Sequence, residues 1–147
     1  MKKEIIKYIC EELLERNLEF KRQIESTIES LNNETKSSAG DKYETSREMT
    51  SREFQNIKET LVLNASMLDD LQKIDAERAY HRVELGSLVI TNEGNYFISV
   101  AFGKIKIEGK ECYAISKSAP LAKAMLGMSI GERIKFQQRS IEIKNIM

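Results

Sequence analysis

Proline is nearly missing from this chain and tryptophan is missing altogether: one Pro and no Trp in 147 residues. Long helices can therefore run unbroken, since a proline inside one removes a hydrogen bond and clashes with the turn before it. Histidine is as scarce. The lone His81 excludes multi-histidine metal sites and any Cys–His–His acyl-condensing centre, and it is expected on the surface of a connector. The two cysteines, Cys10 and Cys112, stand about a hundred residues apart with no Cys or His at ligand spacing, so they read as buried thiols. No apolar run is long enough to span a bilayer. The opening Met1-Lys2-Lys3-Glu4-Ile5-Ile6 turns charged at once and lacks the apolar stretch of a signal peptide. A cytoplasmic protein is expected. Nothing in the sequence forms a nucleophile–base pair, so it is not expected to be a free-standing enzyme.

An excess of either charge is also lacking, because 23 Lys and Arg balance 23 Asp and Glu. The balance hides a division. Residues 1–75 hold 12 basic and 16 acidic side chains, while residues 76–147 hold 11 and 7. Simple duplex DNA binding needs a concentrated positive face, which this division does not supply. It suits a protein that meets a charged partner at two places. A charged fraction of 31% further suits a long solvated helical segment.

Two periodicities are present. From Lys3 to about Asn33 the apolar residues Ile6, Ile9, Leu13, Phe20, Ile24, Ile28 and Leu31 recur at helical spacing. A second stripe, Phe54, Ile57, Leu61, Asn64, Leu68 and Leu71, has the alternating steps of a coiled coil, with Asn64 as a polar insertion. Each stripe alone is too narrow for a globular core. Joined by a short loop, they can bury against each other as an antiparallel hairpin over residues 1–75. About 30 residues per helix at ~1.5 Å each gives an arm of about 45 Å. A plain dimerising coiled coil has the same stripes; the loop between them favours the intramolecular hairpin and a monomer. That loop, with a tip at about residues 34–44, is small and polar, and Gly40 marks its turn.

After a charged connector at 76–82, expected to be mobile, residues 83–147 change to strand-like runs of β-branched and aromatic residues. Strands are expected at 83–91, 95–102, 104–107, 111–116, 133–137 and 140–145, with turns at Asn92-Glu93-Gly94-Asn95 and Glu108-Gly109-Lys110. A short helix should start after Pro120 and stop at Gly127. The expected class is α+β: a helical hairpin followed by a small antiparallel sheet crossed by one helix.

The chemistry, if any, belongs to Gly40-Asp41-Lys42-Tyr43-Glu44. Two carboxylates three residues apart at a helix start lie on one side of the first turn. They can converge on a hard divalent cation, although two are too few to hold Mg²⁺ alone. The same spacing also makes a capping box, in which Asp41 and Glu44 merely satisfy backbone N–H groups.

A long hairpin, an acidic pair at its tip and a small C-terminal sheet together resemble the Gre-type bacterial transcript cleavage factors. That family's tip reads G-D-x-x-E-N-A; Gly40, Asp41 and Glu44 match it, whereas Lys42-Tyr43 and Thr45-Ser46 depart from it. Its C-terminal domain carries S-P, small and apolar residues, L-G, three residues, then G-D. Here Ala119-Pro120-Leu121 leads through Leu126-Gly127 to Gly131-Glu132 in the same order. The resemblance implies an accessory factor that binds bacterial RNA polymerase through an FKBP-like C-terminal domain, with Pro120, Leu121 and Gly127 in the binding region. It implies that the hairpin enters the secondary channel, where Asp41 and Glu44 act as catalytic and metal-binding residues. There they would share a second Mg²⁺ held mainly by the polymerase, for hydrolysis of backtracked nascent RNA. Lys42, Arg47 and Arg52 become candidate contacts to RNA phosphates. Two alternatives stay open: a channel-occupying regulator without cleavage, and a coiled-coil scaffold in which the acids only cap.

Overall fold

The computed structural model describes the backbone of residues 1–34 and 40–147; the side chains of residues 34, 41–43, 45 and 46 lie outside that description, as does much of the expected tip. Two long helices open the chain, α1 (Lys2–Glu34) and α2 (Gly40–Gln72). Each has 33 residues, about 50 Å of helix. Six strands and one short helix follow: β1 (Leu88–Thr91), β2 (Asn95–Ser99), β3 (Gly103–Ile107), β4 (Lys110–Ser116), α3 (Pro120–Met125), β5 (Arg133–Phe136) and β6 (Arg139–Ile146). The class is α+β. By contact the chain forms two compact units, one of residues 11–66 and one of residues 1–10 together with 67–147.

In the helical unit the seam is a heptad. On α1 the line of positions turned away from solvent is Leu13, Asn17, Phe20, Ile24, Thr27 and Leu31, with Glu12 half-buried beside it; on α2 it is Thr50, Phe54, Ile57, Leu61 and Asn64, with Thr60 half-buried beside it. Steps of three and four alternate throughout, as a 3.5-residue repeat demands. This corrects the expected α1 stripe at two places. Asn17 belongs to the seam, and Thr27 takes the place of Ile28, which is 46% exposed. A step of four from Ile24 to Ile28 overshoots the repeat and rotates Ile28 out of the contact. The side-chain amide of Asn64 donates to Oδ1 of Asn17 across 2.8 Å. Two rods joined by a few residues can meet that far from their joint only by folding back, so the pair is antiparallel.

The sheet unit is built more densely. Strand order is β3-β4-β2-β1-β6-β5, and β2 runs parallel to β4, with Tyr96 opposite Tyr113 and Ile98 opposite Ile115. The sheet is therefore mixed, where an antiparallel one was expected. Its cause is β4 inserting between β2 and β3. Cys112 and Ala114 on β4 are buried and suit a central strand, whereas Lys104 and Lys106 on β3 suit an edge, where charge discourages further pairing. β3 and β4 close through Glu108-Gly109, both at positive φ, the turn that matches strand twist. One sheet face packs Val89, Ile98 and Ile143 under Ala122 and Met125 of α3. By alternation Phe97 faces the other way, where the first turns of α1 and the last of α2 add Ile5, Ile9 and Leu71, all nearly inaccessible.

Two further expectations are corrected here. The strand expected from Val83 begins only at Leu88, because Gly86 adopts φ +91° and Ser87 Oγ closes a turn onto Glu84 O at 2.7 Å. The tyrosine hydroxyl of Tyr80 occupies the space a Cβ on Gly86 would need. The connector is also tied down. Tyr80 is buried, and the Lys2 ammonium lies 4.5 Å from its ring centre while donating to Arg78 O at 2.6 Å. Partial burial pulls the Lys2 pKa down, opposed by Asp75 and Glu77. His81 is exposed, as expected.

Candidate functional site

The register of the helical unit decides what its far end contains. With Asn17 opposite Asn64, the following layers pair Phe20 with Leu61, Ile24 with Ile57, Thr27 with Phe54 and Leu31 with Thr50. Every one of these pairs has its midpoint between residues 40 and 41. The acidic motif thus coincides with the centre of symmetry of the seam. α2 begins at Gly40, so Asp41 and Glu44 both fall in its first turns, where the helix dipole favours negative charge.

Glu44 is exposed; the side chain of Asp41 lies outside the described residues, with those of Lys42 and Tyr43. In helical geometry the two acids differ by about 60° around the axis. Arg47 and Arg52 are exposed as well. Arg52 returns to nearly the angle of Asp41, about 16 Å further along α2. Among the described residues no group of three or more His, Cys, Asp or Glu converges on one point. Asp41 and Glu44 by themselves fall short of the octahedron of ligands that Mg²⁺ requires.

Pro120, Leu121 and Gly127 lie in the sheet unit. Pro120 takes the first position of α3, where its missing N–H costs nothing, and is exposed; Leu121 is half-buried. Gly127 ends the segment at φ +82°, and its N–H donates to Val83 O at 2.8 Å. Val83 N–H returns a bond to Met128 O, also 2.8 Å, so the loop is pinned where it leaves the helix. Beside it Leu126 and Ile130 expose about half of their surface. The loop presents apolar side chains on a fixed backbone.

Sequence reasoning missed one residue that matters. Asn17 carries no apolar signal, yet the step of seven from Leu13 to Phe20 left an empty seam position at residue 17. Filling that gap would have found the partner of Asn64. The sheet unit also holds a cleft of about 280 Å³ that includes Lys73, Ile74, Leu85, Ser116 and Lys117. Its Lys73 is already committed, since Asp69 at 2.6 Å and Asp70 at 3.4 Å hold the ammonium and raise its pKa.

No helix among the described residues is long and apolar enough to cross a membrane. No family model and no curated protein matches the chain. Among solved structures the chain is similar to the crystal structure of Thermus aquaticus Gfh1, at 17% identity over 92% of each chain, with a TM-score of 0.30. A superposition that loose carries no functional argument.

Proposed function

We propose that this protein is an accessory factor of bacterial RNA polymerase that inserts its helical pair into the secondary channel and stimulates cleavage of backtracked RNA. The observation that carries the reading is the seam register, whose midpoint falls at residues 40–41 beside the Asp41–Glu44 pair. A helix of about 50 Å supplies the reach that a deep channel demands. The FKBP-like character of the sheet unit, and its docking at the channel rim through Pro120, Leu121 and Gly127, belong to the same proposal. So do action as a monomer and contact with nascent RNA.

In this reading the chain's own chemistry is limited and definite. Asp41 and Glu44 would supply oxygen ligands to a Mg²⁺ otherwise held by the polymerase, and would orient the attacking water. When bound, the ion lowers the pKa of that water and neutralises phosphate charge. Lys42, Arg47 and Arg52 offer cations to the RNA backbone. Asp41→Asn with Glu44→Gln should abolish shortening of RNA from its 3′ end in stalled complexes while leaving polymerase binding unchanged. Normal shortening by that variant would refute the metal role.

A second reading is favoured by one observation. Lys42-Tyr43 and Thr45 depart from the tip of the resembling family, which points to a channel-occupying regulator that does not cleave. Binding to polymerase without any RNA shortening by the unaltered protein would select it. Failure to bind polymerase would remove both readings and leave a scaffold.

A further inference from the structure

Among the described residues the helical seam contains one layer in which two amides meet, and its chemistry is more costly than a hydrophobic one. Asn64 is 5% exposed, and its amide is satisfied by Asn17, itself half-buried, at 2.8 Å. Leucine at both positions would bury more apolar surface and leave no amide to satisfy. What the pair does supply is discrimination. If α2 slid by one heptad along α1, Asn64 would face Ile24 with Asn17 at the level of Leu71, or Asn64 would reach the level of Cys10 with Asn17 facing Ile57. Either slip separates the buried amide of Asn64 from the half-buried amide of Asn17, and leaving a buried amide without a partner costs about 1–3 kcal/mol. The rest of the seam discriminates poorly. Phe20, Ile24, Leu31, Phe54, Ile57 and Leu61 are all large and apolar, and each can face any other.

We infer that Asn17 and Asn64 are positioning residues that fix the axial register of the helical pair, and with it which residues stand at its reversal. A slip of one heptad moves the midpoint of the seam by about three and a half residues, half of the seven-residue repeat. In one direction the midpoint goes to residue 37, leaving both acids behind on α2. In the other it passes to residue 44, drawing Asp41 onto the α1 side and separating it from Glu44. The register is a property of the helices alone; its consequence for RNA cleavage rests on the reading proposed above.

The test reads register directly. In full-length protein with Cys10→Ser and Cys112→Ser, two cysteine pairs are introduced separately: Ile24→Cys with Ile57→Cys for the native layer, and Ile24→Cys with Thr50→Cys for a one-heptad slip. With the asparagines present, only the first pair should close a disulfide under mild oxidation. In Asn17→Leu/Asn64→Leu the protein should become harder to unfold in urea, yet the slipped pair should now close, its yield rising about tenfold or more, the factor one unpaired buried amide imposes. Phe20→Asn with Leu61→Asn, added to that variant, moves the polar layer along the seam and should restore exclusive closure of the first pair. Exclusive native closure in the leucine variant would overturn the inference, whatever the polymerase assay shows. Loss of exclusivity without loss of RNA shortening would leave the register role standing and sink the cleavage reading.

Discussion

The two compact units of this chain are stabilised in different ways. The sheet unit buries Phe97, Ile98, Leu88, Val89, Ile143 and Met125 completely, from both faces of a mixed sheet. Among its described residues the helical unit buries Leu13, Ile57 and Asn64, of which one is an asparagine and Leu13 alone is fully enclosed. A two-helix seam has only one contact line, and most of its side chains keep a solvent edge. The sheet unit has bulk to spare, so its shape follows from packing. In the helical unit the position of each residue along the axis depends on a few specific contacts. Its outer surface is loosely specified too, with Leu14, Leu18, Val62 and Leu63 more than half exposed.

That contrast can be broken by substitution. Phe97→Ala should produce the largest loss, about 3–5 kcal/mol, since its ring is fully enclosed and the sheet cannot collapse around the gap. Ile57→Ala should cost less, about 2 kcal/mol, because a two-helix seam relaxes more readily into a void. Urea unfolding followed by circular dichroism measures both, and equal losses would erase the contrast.

A pH series sharpens it further. Burial pushes the Cys112 thiol up from 9.0 to about 11, with weaker opposition from the Phe97 and Tyr113 backbone. A raised folded pKa means the native state holds the proton more tightly than the unfolded chain. The contribution is thus complete below pH 9 and is lost as pH rises toward 11. The urea midpoint of the sheet unit should fall across that window, and Cys112→Ala should flatten the fall. A midpoint as pH-dependent in the alanine variant would assign the effect elsewhere.

The smallest expected effect is a gain. Gln137 and Gln138 join β5 to β6 at φ +45° and +66°, a two-residue turn in which neither residue is favoured. Gln137→Asn with Gln138→Gly should raise stability by about 1 kcal/mol, the order of cost for a side chain held left-handed. An unchanged midpoint would show that the turn carries no strain.

Much of this architecture was legible in the residues. Apolar spacing gave both helices, and Asn92 to Asn95 and Glu108-Gly109 gave their hairpin turns. What the residues hid had physical causes. The parallel pairing of β2 with β4 is a choice of neighbour, made by comparing edges and centres of a sheet that periodicity does not see. Tyr80 looked like part of a charged connector because its burial depends on Lys2, some eighty residues away in sequence. Turn formation by Gln137-Gln138 gave no signal, since neither residue is a turn former. At the candidate site the acids and Asn64 could be named from sequence, but Asn17 could not be named by a search for apolar residues.

Reach is the quantity on which the functional account turns, and it can be altered without touching the acids. Deleting residues 18–24 from α1 and 57–63 from α2 removes one heptad from each helix, keeps Asn17 opposite Asn64, and leaves the seam midpoint beside Asp41. The pair shortens by about 10 Å. With stalled polymerase complexes, the account predicts that the shortened protein still binds but no longer promotes RNA cleavage. Full cleavage stimulation by the shortened protein would contradict it.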